Sequence, residues 1–87
     1  AIKVDVEFPE PYKNRSNLKY LTGDLRGSIE DLDRAIQNGI KDNGDAYYGR
    51  GIAKCELQDT ISGCQDLKIA GSLGHKTAPE WMKVYCQ

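Results

Sequence analysis

Residues 45–59 read DAYYGRGIAKCELQD, and a related stretch, EPYKNRSNLKYLTGD, precedes them at residues 10–24. Aligned at an offset of 35 residues, the two stretches share a tyrosine, an arginine, a lysine and an aspartate in the same order. The agreement continues downstream, in the pairs Asp31 and Asp66, Leu32 and Leu67, Ala35 and Ala70, Gly39 and Gly74, and Lys41 and Lys76. Ordered matches over this length predict an internal repeat, the sequence signature of an array of similar structural units.

Each repeat is predicted to form two helices separated by a short turn. Asp24 and Asp59 stand at the turns, where a carboxylate can accept a hydrogen bond from the first N–H groups of the following helix. Gly39 and Gly74 come after the second helices and are suited to end them in a left-handed conformation. In the second helix of the second repeat, an apolar face is predicted at helical spacing from Ile61, Cys64, Leu67 and Leu73.

Small residues occupy equivalent positions in the two repeats. Ser16 aligns with Gly51, and Ser28 aligns with Gly63. A bulky side chain at such points would push two paired helices beyond their usual separation of about 8–10 Å. The pattern therefore favours antiparallel helix pairs stacked into an α-solenoid.

A fifth helix is predicted near the end of the chain. Thr77 and Glu80 have the spacing of a capping box, and Pro79 fits the first turn, where its missing N–H costs little. An apolar face follows, formed by Trp81, Val84 and Tyr85. We expect this helix to pack on the second repeat as the terminal cap that a solenoid needs.

The N-terminal arm, residues 1–9, does not match the repeat. Its apolar residues alternate with charged ones, which is a strand pattern, and Pro9 and Pro11 are expected to end the strand before the first helix. Three interpretations stay open: pairing with the same segment of another molecule, capping of the first repeat, or the end of a larger protein. The predicted organisation is an arm at 1–9 and a helical domain at 10–87, with repeats at about 10–43 and 44–76 and the capping helix at about 77–86.

Residues 47–54 (YYGRGIAK) and 57–59 (LQD) resemble the first helix and turn of the tetratricopeptide repeat, and residues 63–70 (GCQDLKIA) resemble its second helix. The resemblance extends from about Tyr12 to Cys86, and the closing segment is similar to that of many bacterial members. The first repeat departs from the family pattern at Ser16, where glycine is usual. The resemblance implies an all-α solenoid of about five helices with an extended N-terminal arm. In this family the concave face, formed by the first helix of each repeat, holds a peptide or a partner protein.

The candidate binding residues follow from that resemblance. Lys13 and Asn17 lie one helical turn apart, as do two members of the clamp with which some tetratricopeptide modules grip a C-terminal carboxylate. Gly49 stands where the second repeat would offer an asparagine, so a solvated helix face is the competing interpretation. The predicted partner-binding set is Lys13, Asn17, Tyr20, Tyr48, Ile52, Cys55, Glu56 and Lys83.

Charged residues and cysteines also suggest structural contacts. Arg15 and Arg50 are predicted to pair with Asp31 and Asp66 across the helices of each repeat. Cys64 and Cys86 lie in the last two helices, where a disulfide is a candidate in an oxidising compartment and two buried thiols are the alternative. Cys55 is then left over as a semi-exposed thiol rather than a nucleophile.

The composition argues against several classes of function. The formal net charge is −1, without the basic surplus typical of nucleic-acid binders. No apolar run approaches the roughly 20 residues of a membrane-spanning helix. His75 is the one histidine and no C-x-x-C pair occurs, so neither a metal nor another cofactor is expected, and we expect His75 at the surface in a loop.

The sequence therefore predicts a binding module rather than an enzyme. The expected partner is a protein or peptide, with neither nucleic acid nor membrane involved. The alternative function is a structural unit for homo-oligomers, for example a homodimer, with the N-terminal arm in the interface. The sequence leaves the compartment open.

Overall fold

The computed structural model describes residues 9–86, which form five α-helices joined by short connections. In chain order these helices are α1 (Pro9–Leu21), α2 (Leu25–Gln37), α3 (Asp45–Glu56), α4 (Thr60–Ser72) and α5 (Ala78–Tyr85). No strand occurs within residues 9–86, so the prediction of an all-α fold is confirmed for this part of the chain. The predicted arm lies outside the described residues, except for Pro9.

Helix α1 begins at Pro9, whereas the sequence predicts that Pro9 and Pro11 lie before the first helix. Pro9 and Pro11 therefore stand in the first turn of the helix instead of preceding it. Proline is tolerated there because the first N–H groups of a helix have no intrahelical acceptor, so its missing N–H removes no hydrogen bond. Glu10 adds a negative charge next to the positive end of the helix dipole.

The predicted helix ends are confirmed at four positions. The Asp24 carboxylate accepts a hydrogen bond from the N–H three residues later at 3.0 Å, and Asp59 does the same at 3.4 Å. Gly39 and Gly74 have φ values of +77° and +99°, in the left-handed region where glycine has no steric penalty. The N-cap aspartates therefore mark where α2 and α4 begin, and the left-handed glycines mark where the chain leaves these helices.

Each helix packs against the next one along the chain, and α5 also contacts α3. The buried apolar cluster lies mainly in α3 and α4, and consists of Ile52, Cys55, Leu67, Ala70 and Ala78. Tyrosines pack around this cluster, including Tyr20 from α1 and Tyr85 from α5. Helix α5 packs on both α4 and α3, whereas α1 packs mainly on α2 and reaches this cluster through Tyr20.

Helices α3 and α4 approach each other closely at two glycines. A Cβ atom added to Gly63 would lie 2.8 Å from the Gly51 carbonyl oxygen and 2.5 Å from the Cys55 Sγ atom. No side chain fits at those distances without moving the backbone. In the first pair of helices, the equivalent positions hold Ser16 and Ser28, which are both buried.

The predicted ion pairs are confirmed in both halves of the molecule. The Nε and Nη2 atoms of Arg15 donate to the two carboxylate oxygens of Asp31 at 2.8 and 2.7 Å. Arg50 donates in the same way to Asp66, with both distances at 2.8 Å. Such paired hydrogen bonds fix orientation as well as distance, because the planar guanidinium matches the carboxylate.

The predicted apolar face of α4 is wrong in part. Leu67 is buried, but the Ile61 side chain is 78% exposed and Leu73 is also exposed. The row of α4 that faces α3 contains Gly63, Leu67 and Ala70, which are buried. Ile61 and Leu73 lie outside this row, so helical spacing alone overestimates the width of the buried face.

Candidate functional site

A groove of about 250 Å³ lies between α1, α3 and α5. Six of the eight predicted binding residues line it, and these are Lys13, Asn17 and Tyr20 from α1 and Tyr48, Ile52 and Glu56 from α3. The structure therefore places these six side chains around one shared space. The remaining two predicted residues, Cys55 and Lys83, are not among the described residues that line it.

Two polar contacts show how α1 and α3 are placed. Lys13 and Asp45, near the N-terminal ends of the two helices, form an ion pair at 2.7 Å. Tyr20 and Glu56, near the C-terminal ends, form a hydrogen bond in which the tyrosine hydroxyl donates. The N-terminal parts of α1 and α3 contact each other, and so do their C-terminal ends. The two helices therefore run in the same direction along the groove.

Helix α5 supplies the third wall, which sequence reasoning missed. Trp81 and Tyr85 line the groove, with their ring centroids 5.9 Å apart and their planes nearly parallel. The sequence pattern predicts these residues only as the packing face of a terminal cap. Two large aromatic residues one turn apart on a helix of only eight residues are the signal that could have indicated a groove wall.

The floor of the groove is apolar, and it is open because one of the residues there is a glycine. Leu32 of α2 and Ile52 of α3 reach the groove from below, and Gly49 lies between the walls. A Cβ atom on Gly49 would lie 3.2 Å from the Cδ1 atom of Leu32. The absence of a side chain at Gly49 keeps the floor open, in place of the asparagine that a carboxylate clamp would need there.

Lys13 is paired within the protein. Its Nζ atom lies 2.7 Å from Asp45 and 3.1 Å from Asp42. Burial disfavours the charged amine, but hydrogen bonds to Asp45 and Asp42 outweigh this effect and raise the pKa of Lys13. A carboxylate ligand would therefore meet an ammonium group whose charge two aspartates already balance.

His75 holds α5 against α3, and its predicted place at the surface is wrong. The imidazole is largely buried, stacks on Tyr48 at a centroid distance of 4.0 Å, and places Nε2 3.1 Å from Asp45. Its Nδ1 atom accepts hydrogen bonds from the N–H groups of Thr77 and Ala78 at 3.3 and 3.2 Å. A neutral imidazole with its proton on Nε2 satisfies all of these contacts.

The predicted capping box at the start of α5 is also wrong. The Thr77 hydroxyl makes no capping hydrogen bond, and the backbone of Thr77 is already in the helical region. An N-cap residue normally has a non-helical backbone, which lets its side chain turn toward the exposed N–H groups. Here His75 accepts those hydrogen bonds instead, and this couples the first turn of α5 to Asp45 of α3.

The far end of the groove carries an unbalanced carboxylate. Glu56 is exposed, accepts the hydrogen bond of Tyr20, and forms no salt bridge with any described residue. The hydrogen bond to Glu56 is the main cause that raises the pKa of Tyr20 to about 12. Tyr20 consequently stays a neutral donor at physiological pH and does not cancel the negative charge of Glu56.

The structure places Cys55 and Lys83 away from the groove. Cys55 is only 4% exposed, so its description as a semi-exposed thiol is wrong, and burial raises the pKa of the thiol. Its side chain faces Gly63 of α4, within the buried cluster beneath the groove residue Ile52. Lys83 lies two residues from both Trp81 and Tyr85, and residues at that spacing do not share a helix face.

A disulfide links Cys64 of α4 to Cys86, directly after α5. The two Cα atoms are 5.7 Å apart. With His75 at the beginning of α5 and the disulfide at its end, both ends of the third wall are attached to the rest of the fold. These two attachments hold α5, and with it Trp81 and Tyr85, in place beside the groove.

Two other kinds of site are absent from residues 9–86. No group of three or more histidine, cysteine, aspartate or glutamate side chains in this part of the chain is arranged to hold a metal ion. None of the helices from α1 to α5 has the length and apolar character needed to cross a membrane.

Searches with family models, curated proteins and solved structures find no match to this chain.

Proposed function

We propose that this chain is a tetratricopeptide-type interaction module, an α-solenoid of two antiparallel helix pairs and a closing helix, which binds a segment of a partner protein. The observation that carries this proposal is that α1 and α3 run in the same direction and line one groove with six of the predicted binding residues. The first helix of each predicted repeat thus contributes to a common face. The proposed activity is binding, without a catalytic step.

Recurring contacts support the repeat. The paired Arg–Asp hydrogen bonds of Arg15 with Asp31 recur 35 residues later in Arg50 with Asp66. The N-cap hydrogen bond of Asp24 recurs at the same offset in Asp59. Short turns between helices that pack side by side further support antiparallel pairs.

The size and chemistry of the groove suit side chains of a protein segment. Pockets that enclose drug-sized ligands have volumes of about 300–1,000 Å³, whereas this groove has about 250 Å³. It can therefore hold one or two side chains of an extended segment. Tyrosine and tryptophan are enriched at protein interfaces because their rings bury a large area while their polar atoms remain hydrogen-bonded. Because so little area is buried, we expect affinities at the micromolar level or weaker.

Selection from a library of random peptides tests the proposal even though the partner is not identified. Peptides selected on the intact chain would be measured against two matched variants of α1, Asn17→Tyr and Asn14→Tyr. Both residues are exposed, but only Asn17 lines the groove. The proposal predicts about tenfold weaker binding or more to Asn17→Tyr and unchanged binding to Asn14→Tyr. Peptides that bind both variants as well as the original chain would refute binding in the groove.

Assembly of identical copies is the second candidate function. It is favoured by Leu18 and Leu21 of α1, which are both largely exposed, because solvent-exposed apolar pairs of this kind suit an interface. Light scattering over a concentration series tests it, with Leu21→Asp as the variant. Association that Leu21→Asp weakens would support this function, and a strict monomer at every concentration would exclude it.

A further inference from the structure

We propose that the groove selects a lysine or arginine side chain of the partner segment, with the cationic group placed between Glu56 and the surrounding aromatic rings. This inference rests on the proposed function, because it names the chemistry of the segment that the same groove would take. It reverses the preference of a carboxylate clamp, which would select a negatively charged terminus.

The charges along the groove give the first reason. Lys13 is the one cation among the described lining residues, and it is balanced by both Asp42 and Asp45. Glu56 at the other end has no described cationic partner. The groove and its rim therefore carry more negative than positive charge, which attracts a cation and opposes a second carboxylate.

The hydrogen-bonding capacity of Glu56 gives the second reason. An ionised carboxylate offers about four lone-pair positions, and the Tyr20 hydroxyl occupies one of them. Because Glu56 is exposed, its remaining positions are accessible from the groove. An ammonium or guanidinium group can donate to them, and hydrogen bonds between charged groups are stronger than those between neutral groups.

The aromatic walls give the third reason. Tyr20, Tyr48 and Tyr85 all line the groove that Glu56 also lines, and Tyr20 is hydrogen-bonded to Glu56. Trp81 stacks on Tyr85 and also lines the groove. The negative faces of such rings attract cations, and tryptophan is the most effective of them.

The floor of the groove suits the aliphatic part of the same side chain. Leu32 and Ile52 present apolar surface there, and Gly49 leaves it uncovered. Lysine and arginine commonly bury their methylene groups on apolar surface while the charged end stays in a polar setting. The methylene groups of one lysine or arginine side chain can thus pack on the floor of the groove while its charged group reaches the Glu56 carboxylate.

The experiment uses blocked pentapeptides that differ only at the centre, acetyl-Gly-Leu-Xaa-Leu-Gly-amide with lysine, glutamine or glutamate as Xaa. The indole resonance of Trp81, the one tryptophan of the chain, reports binding at the groove in a titration followed by nuclear magnetic resonance. We expect the lysine peptide to bind about tenfold more tightly than the glutamine peptide, and the glutamate peptide to bind most weakly. Added salt should reduce the advantage of lysine.

Two variants identify the carboxylate. Glu56→Gln keeps an acceptor for Tyr20 but removes the charge, so the preference for lysine should fall to about twofold or less. Glu30→Gln on α2 is the matched control, since Glu30 is exposed and does not line the groove, and it should leave the preference unchanged.

The possible outcomes separate this inference from the proposed function. Equal binding of the lysine and glutamine peptides at Trp81, or stronger binding of the glutamate peptide, would overturn the cationic preference and leave peptide binding intact. A lysine preference that persists in Glu56→Gln would also overturn the inference. If none of the peptides shifts Trp81 while library-selected peptides still depend on Asn17, the cationic preference fails alone. If both tests fail, the proposed function fails with it.

Discussion

The first helix pair, α1 and α2, and the second, α3 and α4, use the same ion pair in different surroundings. The side chain of Arg15 is 51% exposed, whereas that of Arg50 is 18% exposed. Arg50 also donates from Nη1 to Asp33 of α2 at 2.7 Å, so it joins the two helix pairs in addition to pairing with Asp66. Neighbouring helices on both sides bury an ion pair and give it additional partners. We therefore expect the same Arg–Asp ion pair to stabilise the fold more in the second helix pair than in the first.

The two pairs also differ in how closely their helices approach. The second pair has glycine at both equivalent crossing positions, with backbone atoms too near for a Cβ atom at Gly63. The first pair accommodates Ser16 and Ser28 at these positions, and Ser16 donates its hydroxyl hydrogen to the carbonyl of Lys13 at 2.7 Å. The second pair is thus the more tightly packed of the two. Three pairs of substitutions test the differences between the helix pairs in ion pairing, packing and capping.

The largest expected difference concerns the two buried aspartates. Asp66→Ala leaves Arg50 and Lys54 without their shared carboxylate in a largely buried setting, and we expect it to lower the free energy of unfolding by about 3 kcal/mol. Asp31→Ala should cost less, because Arg15 and Lys19, which share its carboxylate, are more exposed than Arg50 and Lys54 and can be solvated once that carboxylate is gone. Urea unfolding followed by circular dichroism measures both values, and equal losses would contradict the comparison.

The second difference concerns the helix crossings. Gly63→Ala forces the Cys55 side chain and the Gly51 backbone to move, and we expect a loss of about 2 kcal/mol. Ser28→Ala, at the equivalent position of the first pair, removes only a hydroxyl and should cost less than about 1 kcal/mol. Thermal unfolding of the two variants under identical conditions provides the test. A neutral Gly63→Ala would show that the second pair is not the tighter one.

The smallest difference concerns the N-caps. Asp24 accepts its capping hydrogen bond at 3.0 Å, and Asp59 does so at 3.4 Å. Replacing an N-cap aspartate by alanine typically costs about 1 kcal/mol, and we expect Asp24→Ala to reach this value while Asp59→Ala falls below it. Urea unfolding followed by circular dichroism measures both losses in the free energy of unfolding. A larger loss for Asp59→Ala than for Asp24→Ala would contradict the expected order.

Structural features that depend only on residues close together in the sequence can be predicted from the sequence. The caps at Asp24 and Asp59 and the left-handed glycines follow from the conformational preferences of single residue types. The pairing of Arg15 with Asp31 and of Arg50 with Asp66 is predictable because the same two residue types recur in the sequence at an offset of 35 residues. Half of the residues that line the groove are predicted, because the resemblance to the tetratricopeptide repeat points to residues of α1 and α3 such as Lys13 and Tyr48.

The packing of α5 and the candidate disulfide between Cys64 and Cys86 are predictable, but the contacts that set the exact placement of α5 are not. His75 acts through its contacts with Asp45 and Tyr48, 30 and 27 residues earlier in the chain, and no local pattern indicates them. The spacing around Trp81 predicts packing because an apolar helix face has the same spacing whether it meets a core or a groove. The prediction of Cys55 in the groove is wrong because its distance from Tyr48 does not show which side of α3 faces α4.

The most direct test of binding in the groove is a map of where a bound segment touches the molecule. A library-selected peptide would be titrated into isotope-labelled protein, and the amide and indole shifts would be followed by nuclear magnetic resonance. Binding in the groove predicts the largest shifts at Asn17, Gly49 and Trp81, on its three walls. Shifts concentrated instead at Glu30 and Lys68, on the exposed faces of α2 and α4, would contradict it.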